Sequence, residues 1–289
     1  LEQLNEVKGI WQAELQRALR SARVVVLLGL YGLFSLLVLL VVGTLSSALS
    51  KKLAEVGGDP RAAEAAFSEG RNAILAVLFS TGDPAILEAL KQVPLVVLIV
   101  FKVTLFFLPA YVALMGFDQL SGDVANRSIR YLVVRARRSS VLIGKLLSQA
   151  SLLLVLVMVV DLGIFLYAEI TTPTFSISAA AVHLLKFWLA AIVFSSAYIA
   201  LTSLCSALVR TPAVSLVLNL VALFGFWLLD VIGAGDPSRD FLRYLSPSHY
   251  PNGLLHPSFA PFATSVLAYG AFAIVFVGAA LLILRERDL

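Results

Sequence analysis

Six nearly unbroken apolar stretches, separated by charged or polar intervals, divide the chain. Each is long enough to cross a hydrocarbon core, for which about 20 residues suffice at 1.5 Å per residue. They run over about 24–49, 94–115, 141–168, 179–209, 212–234 and 261–284. Irregular backbone cannot face lipid, so all six are predicted to be helices, and the fold class is an all-α membrane protein with six transmembrane helices. Thr211 before Pro212 supplies a capping hydroxyl and a first-turn proline where the fifth span begins.

Three segments outside the spans carry patterns of their own. In residues 1–22, Leu4, Val7, Trp11, Leu15 and Ala18 recur at steps of three and four among charges. That is the pattern of an amphipathic helix, predicted to lie along the inner membrane surface. The 50–93 interval has two helix starts, Asp59-Pro60 and Asp83-Pro84, and is expected to form a helical lid or a surface for an extracytoplasmic partner, with a solvated spacer as the alternative. In 116–140, Phe117, Asp118, Gln119, Leu120, Ser121, Gly122 and Asp123 form a polar turn. Val124, Ile129, Leu132 and Val133 then recur among arginines, which predicts a short helix lying across the inner end of the bundle.

Composition agrees with the pattern: of 289 residues 60% are hydrophobic and only 14% charged, which excludes an ordinary water-soluble domain. A net charge of +4 would suggest nucleic acid for a soluble protein, but in a membrane protein the location of the charges decides. Residues 127–145 hold five arginines and a lysine. If the N-terminus is cytoplasmic, inner segments carry thirteen Lys and Arg and outer loops seven, so both termini are expected inside. The first apolar stretch is too long for a signal sequence and reads as an uncleaved anchor. Cys205 is the single cysteine, so no intrachain disulfide can form.

Ionisable residues within spans are costly unless partnered. Lys102 and Asp161 lie at similar depths, roughly 10–12 Å from the outer ends of consecutive antiparallel spans, and an ion pair between them is predicted. It could line a pathway, or merely fix helix register. His183, His249 and His256 fall on the outer side, where surface histidines explain them better than a metal site. No nucleophile and base stand out, so neither a catalytic nor a metal-binding residue is assigned.

The stretch "GDVANRSIRYLVVRARRSSVLIGKLL", beginning at Gly122, resembles the loop between the second and third spans of ABC-2-type transporter permeases. Asp123 matches an acidic position, Ile129 and Leu132 apolar ones, and Gly144-Lys145 the entry to the third span. Leu245-Ser246-Pro247, Gly253 and the ending "LRERDL" are similar to the family's tail. Arg127-Ser128 depart from a common Gly-Thr, and Ala136 from a common Pro.

The resemblance implies a permease subunit of an ABC exporter, not itself an enzyme, with an alternative role as a transmitter of ATPase motion to an envelope assembly. It implies a multi-pass protein of the cytoplasmic membrane that works with membrane lipid, a second permease chain in a homodimer, and two copies of a cytoplasmic ABC ATPase. Coupling to that ATPase would fall to Phe117–Asp123, Arg127 and Arg130, with Arg210 at a smaller contact. The segment holding Val7, Trp11 and Leu15 would be the interface helix. No G-x-x-x-x-G-K-[ST] loop occurs, so this chain holds no cofactor and ATP with Mg would bind the partner.

Overall fold

The computed structural model describes residues 2–21, 24–37, 40, 75, 86, 88, 90, 93, 95–171 and 177–286. Among the described residues every regular element is helical. α1 is Glu2–Leu19, α2 Val24–Leu37, α3 Leu95–Gly116, α4 Ser121–Ala125, α5 Ile129–Arg135 and α6 Arg138–Thr171. α7 is Ile177–Leu208, α8 Pro212–Gly235, α9 Phe241–Tyr244 and α10 Phe259–Glu286. Helices α3, α6, α7, α8 and α10 are each long and apolar enough to cross a membrane, and the bent pair of α1 and α2 makes a sixth candidate. The chain is an all-α, multi-pass membrane protein. The interval 50–93, the second half of the first apolar stretch and the end of "LRERDL" lie almost wholly outside the described residues.

The chain's arginine-rich segment 127–138 gathers at one end of the bundle, called here the basic end, with the last turns of α3, α7 and α10 and the first turns of α6 and α8. Helix α6 has 34 residues, roughly 51 Å at 1.5 Å each, well beyond the roughly 30 Å of a bilayer core. That is more than a crossing requires, and α1 packs alongside its first turns. A bend of 67° between α1 and α2 sets α1 across the line of α2.

Helices α3 and α7 are the most enclosed. Phe101 of α3 stacks on Phe187 of α7 at 4.3 Å between ring centroids, and Phe194 of α7 meets Tyr269 of α10 edge-on at 5.5 Å. Helix α8 is inverted relative to a soluble helix. Ser215, Asn219 and Gly233 face inward, while Val217, Val221, Phe224 and Val231 point outward at helical spacing. In a bilayer the outward apolar stripe needs no water-excluding partner, and the inward Asn219 donates to Thr202 Oγ1 of α7 at 2.8 Å.

Candidate functional site

The polar turn after α3 is fastened to α7. Helix α4 begins at Leu120 with no side-chain cap of its own, leaving its first amides without intrahelical acceptors. Ser206 of α7 fills that role. Its Oγ accepts from the amides of Leu120 and Ser121 at 3.0 and 2.9 Å and donates to Phe117 O at 3.0 Å. Ser203 Oγ, one turn earlier on α7, donates to Gln119 Oε1 at 3.1 Å. A small apolar cluster of Leu120, Ile129, Leu142, Ala207, Ala280 and Leu284 then joins α4 and α5 to the ends of α6, α7 and α10. The Arg138 guanidinium donates to Leu284 O and Arg285 O, satisfying carbonyls that the last turn of α10 leaves open.

Lys145 is the centre of this end. Only 2% exposed, it lies 2.7 Å from Asp123 Oδ2 of α4 and donates to Glu14 Oε1 of α1 at 2.6 Å. The Asp123 contact is an ion pair whose angle lies outside hydrogen-bond geometry. Ser128 Oγ donates to the other Asp123 oxygen at 2.8 Å. Three helices thus share one buried cation, and removing it would strand two carboxylates in a poorly solvated place. Gly144 lets α1 come close enough: a Cβ there would stand 2.8 Å from Ile10 Cγ2. Trp11 Nε1 donates to Ser151 Oγ of α6 at 3.0 Å, and Arg137 N donates to Glu6 Oε2 at 3.3 Å. The nearby Ser140 hydroxyl and the hydrogen bond from the Arg137 amide hold the Glu6 carboxyl below the usual range.

Val7, Trp11 and Leu15 are therefore half-buried against α6, Leu4 stands exposed, and Ile10 takes part where it was not expected. The physical reason is the length of α6, which supplies a protein surface for α1. Glu14 was legible in principle. It stands seven residues after Val7, on the same helical face, and an acid in an apolar stripe calls for a buried cation.

The expected coupling set divides in two. Leu120, Ser121 and Asp123 are buried, and Phe117, Asp118, Gln119 and Gly122 are half-buried beneath the α7 contacts. That half is tied into the bundle, with Phe117, Asp118, Gln119 and Gly122 still partly at the surface. Arg127 and Arg130 are exposed, and with them Tyr131 at 79% and Val134 at 85% on the outward face of α5, and Arg135 beside them. Arg210 is exposed in the turn from α7 to α8. Arg127 has φ 57°, among the described residues the one non-glycine in the left-handed region. It follows the C-cap Asn126, with amides returning to Gly122 O and Val124 O, which is where a glycine costs least.

The expected Lys102–Asp161 pair does not form. Asp161 Oδ1 accepts from Tyr31 OH of α2 at 3.2 Å and Oδ2 from Trp188 Nε1 of α7 at 3.1 Å. Tyr31 OH also lies 2.5 Å from Thr104 Oγ1 of α3. Thr104, not Lys102, is the α3 residue facing this group. A step of two residues is about 200° around a helix, so equal depth did not bring Lys102 to the same side.

At the opposite end, Ser246 of the Leu-Ser-Pro element accepts from Ser248 N and donates to Phe226 O of α8 at 2.8 Å. Pro247 O accepts from Tyr269 OH of α10 at 2.8 Å, so this element ties α8 to α10. His249 lies 3.6 Å from Asp230 while His256 shares a contact with Ser258, so the two do not converge.

No curated protein matches the chain. A family model described as ABC-2 family transporter protein matches residues 9–289, nearly the whole chain. With the helical membrane bundle and its keyed basic end, this match places the chain in the ABC-2 family of transporter proteins, whose members are membrane permease subunits that partner an ABC ATPase.

Proposed function

We propose that this permease subunit couples ATP hydrolysis by a separate ATPase to export across the cytoplasmic membrane, and that the outward face of α5 is where the ATPase pushes. The basic end faces the cytosol, with both termini inside, in keeping with the bias of Lys and Arg along the chain. A second copy of the chain and two ATPase subunits complete the assembly. ATP and its Mg would be held by the ATPase.

One observation carries the reading: Arg127, Arg130, Tyr131, Val134 and Arg135 form an exposed basic, aromatic and apolar ridge beside the buried Leu120, Ser121, Asp123 and Ile129. Exposed tyrosine and arginine together are what interfaces use as anchors. The ridge stands on helices linked through Lys145 to α1 and α6 and through Ser206 to α7, so a push on it moves spans rather than a loop. Arg210 offers a second contact near the start of α8.

Cross-linking tests this. With Cys205 replaced, Tyr131→Cys or Val134→Cys co-expressed with the ATPase should give a disulfide-length cross-link to it, and Ser121→Cys should give none. A cross-link at Ser121, or none at either ridge position, overturns the assignment. Labelling Ser139→Cys in intact cells with an impermeant thiol reagent tests orientation separately: ready modification from outside reverses the topology.

A further inference from the structure

A cavity of about 90 Å³ lies between α6 and α7, with Leu108 of α3 as its floor. Its lining runs from Ala150 to Val157 on α6 and from Trp188 to Ile199 on α7, about 10 and 16 Å along the two axes at 1.5 Å per residue. Both stretches fall near the middle of their helices, Arg138–Thr171 and Ile177–Leu208, at the depth where a bilayer holds acyl chains and not headgroups.

The inside offers no free donor. Three lining side chains carry polar hydrogens, and each already donates within the protein: Ser195 Oγ to Ile192 O at 3.0 Å, Ser196 Oγ to Val193 O at 2.7 Å and Trp188 Nε1 to Asp161 Oδ2 at 3.1 Å. A buried water needs about two to four polar partners, so a cavity lined in this way stays dry. Left empty, its walls would lack dispersion partners on one side. The floor and walls are deep, since Leu108, Leu153, Val157 and Ala191 are buried. The mouth faces outward: Ile192 at the rim is 41% exposed, and Val155 and Leu189 beside it on the two helices are exposed as well. Shape then narrows the choice. So small a volume drawn out over about 10–16 Å is one methylene chain wide, too slender for a ring system or a methyl-branched chain.

From the depth, the shape and the satisfied lining together we propose that the crevice between α6 and α7 binds one unbranched acyl chain of a membrane phospholipid. The chain supplies contacts that neither helix makes to the other, and it lies on Trp188, the residue that also holds Asp161. The proposal does not depend on where the ATPase docks.

Tryptophan quenching of the full chain in nanodiscs reads it. Of the three tryptophans, Trp188 lines the crevice, and Trp227 stands 53% exposed on the outward side of α8. One chain keeps Trp188 alone, by Trp11→Phe with Trp227→Phe; a control keeps Trp227 alone, by Trp11→Phe with Trp188→Phe. Each is placed in methyl-branched diphytanoyl phosphatidylcholine holding a small fraction of phosphatidylcholine whose straight chains carry bromine at the terminal carbon. Quenching is divided by that in fully brominated membranes, which removes the effect of depth. Trp227 should follow the bulk fraction of brominated lipid, whereas Trp188 should exceed it about threefold, because the crevice admits the straight chain. Ala191→Leu or Ser195→Leu, either of which fills the crevice, should return Trp188 to the bulk fraction. Equal normalised quenching at the two tryptophans overturns the proposal, and that comparison needs neither filling variant to fold. An enrichment that survives both fillings overturns it too. So does a Trp188 left unquenched in fully brominated membranes, which would mean that protein, such as a second copy of the chain, covers the mouth.

Discussion

Asp123 and Asp161 are both buried carboxylates, 5% and 6% exposed, yet the protein satisfies them by opposite means. Asp123 lies at the basic end and is neutralised by a lysine that also serves Glu14. Asp161 lies within the spans and is held by neutral donors, a tyrosine and an indole from two other helices. The difference teaches where a full cation is tolerable. At the basic end three helices converge on one ammonium. Deeper in the bundle, donors already needed for packing supply the contacts, and no second charge need be desolvated.

The largest effect is expected from Lys145→Met, which leaves Glu14 without its cation and Asp123 with only the exposed Arg17, 3.9 Å from its Oδ1. It should destabilise the folded chain by about 3–5 kcal/mol, read as a fall in thermal midpoint in detergent. Adding Asp123→Leu and Glu14→Gln should restore much of the loss. A Lys145→Met chain as stable as wild type would end the comparison.

Asp161→Asn keeps the shape but points an amide N–H₂ at one of two donors. The expected cost is about 1–3 kcal/mol, below that of Lys145→Met. A double-mutant cycle with Lys102→Met should show coupling within about 0.5 kcal/mol of zero, since the two side chains do not touch. Strong coupling would restore the ion pair rejected above.

Arg127→Gly relieves a left-handed backbone and should stabilise the free chain by about 1 kcal/mol. The same change removes a charge from the proposed docking ridge, so ATPase co-purification should weaken while the thermal midpoint rises. A fall in both would mean that Arg127 holds the fold rather than the partner.

The smallest effect concerns pH. Glu6 has its pKa lowered in the fold, so its contribution is present above the unfolded carboxylate range and is lost as pH falls through the depressed folded value. Acidification should therefore loosen α1 from α6, seen as faster hydrogen exchange in residues 2–10. Glu6→Gln should exchange quickly at neutral pH and respond less to acid.

Much of the site was half legible. Gly144 and Lys145 were visible as a pair entering a span, but their purposes, a seat for Ile10 and a bridge between α1 and α4, depend on a helix more than a hundred residues away. Ser206 carried no signal, being one serine among several in an apolar stretch, and only the fold brings it to the start of α4. The exposed Tyr131 and Val134 follow from the way Ile129 turns inward, which fixes the opposite face of α5 outward.

The chain's own order of residues determined that it spans a membrane with helices and that its positive charge collects on one side, because transfer of apolar side chains and the cost of burying charge are local, additive quantities. Which charges meet was decided by the tertiary structure. Contact between helices depends on azimuth as well as depth, and Lys102 and Asp161 share the second without the first. Lys145 finds two acids because the first turns of α6 give α1 a wall to lean on and α4 lies against the same helix.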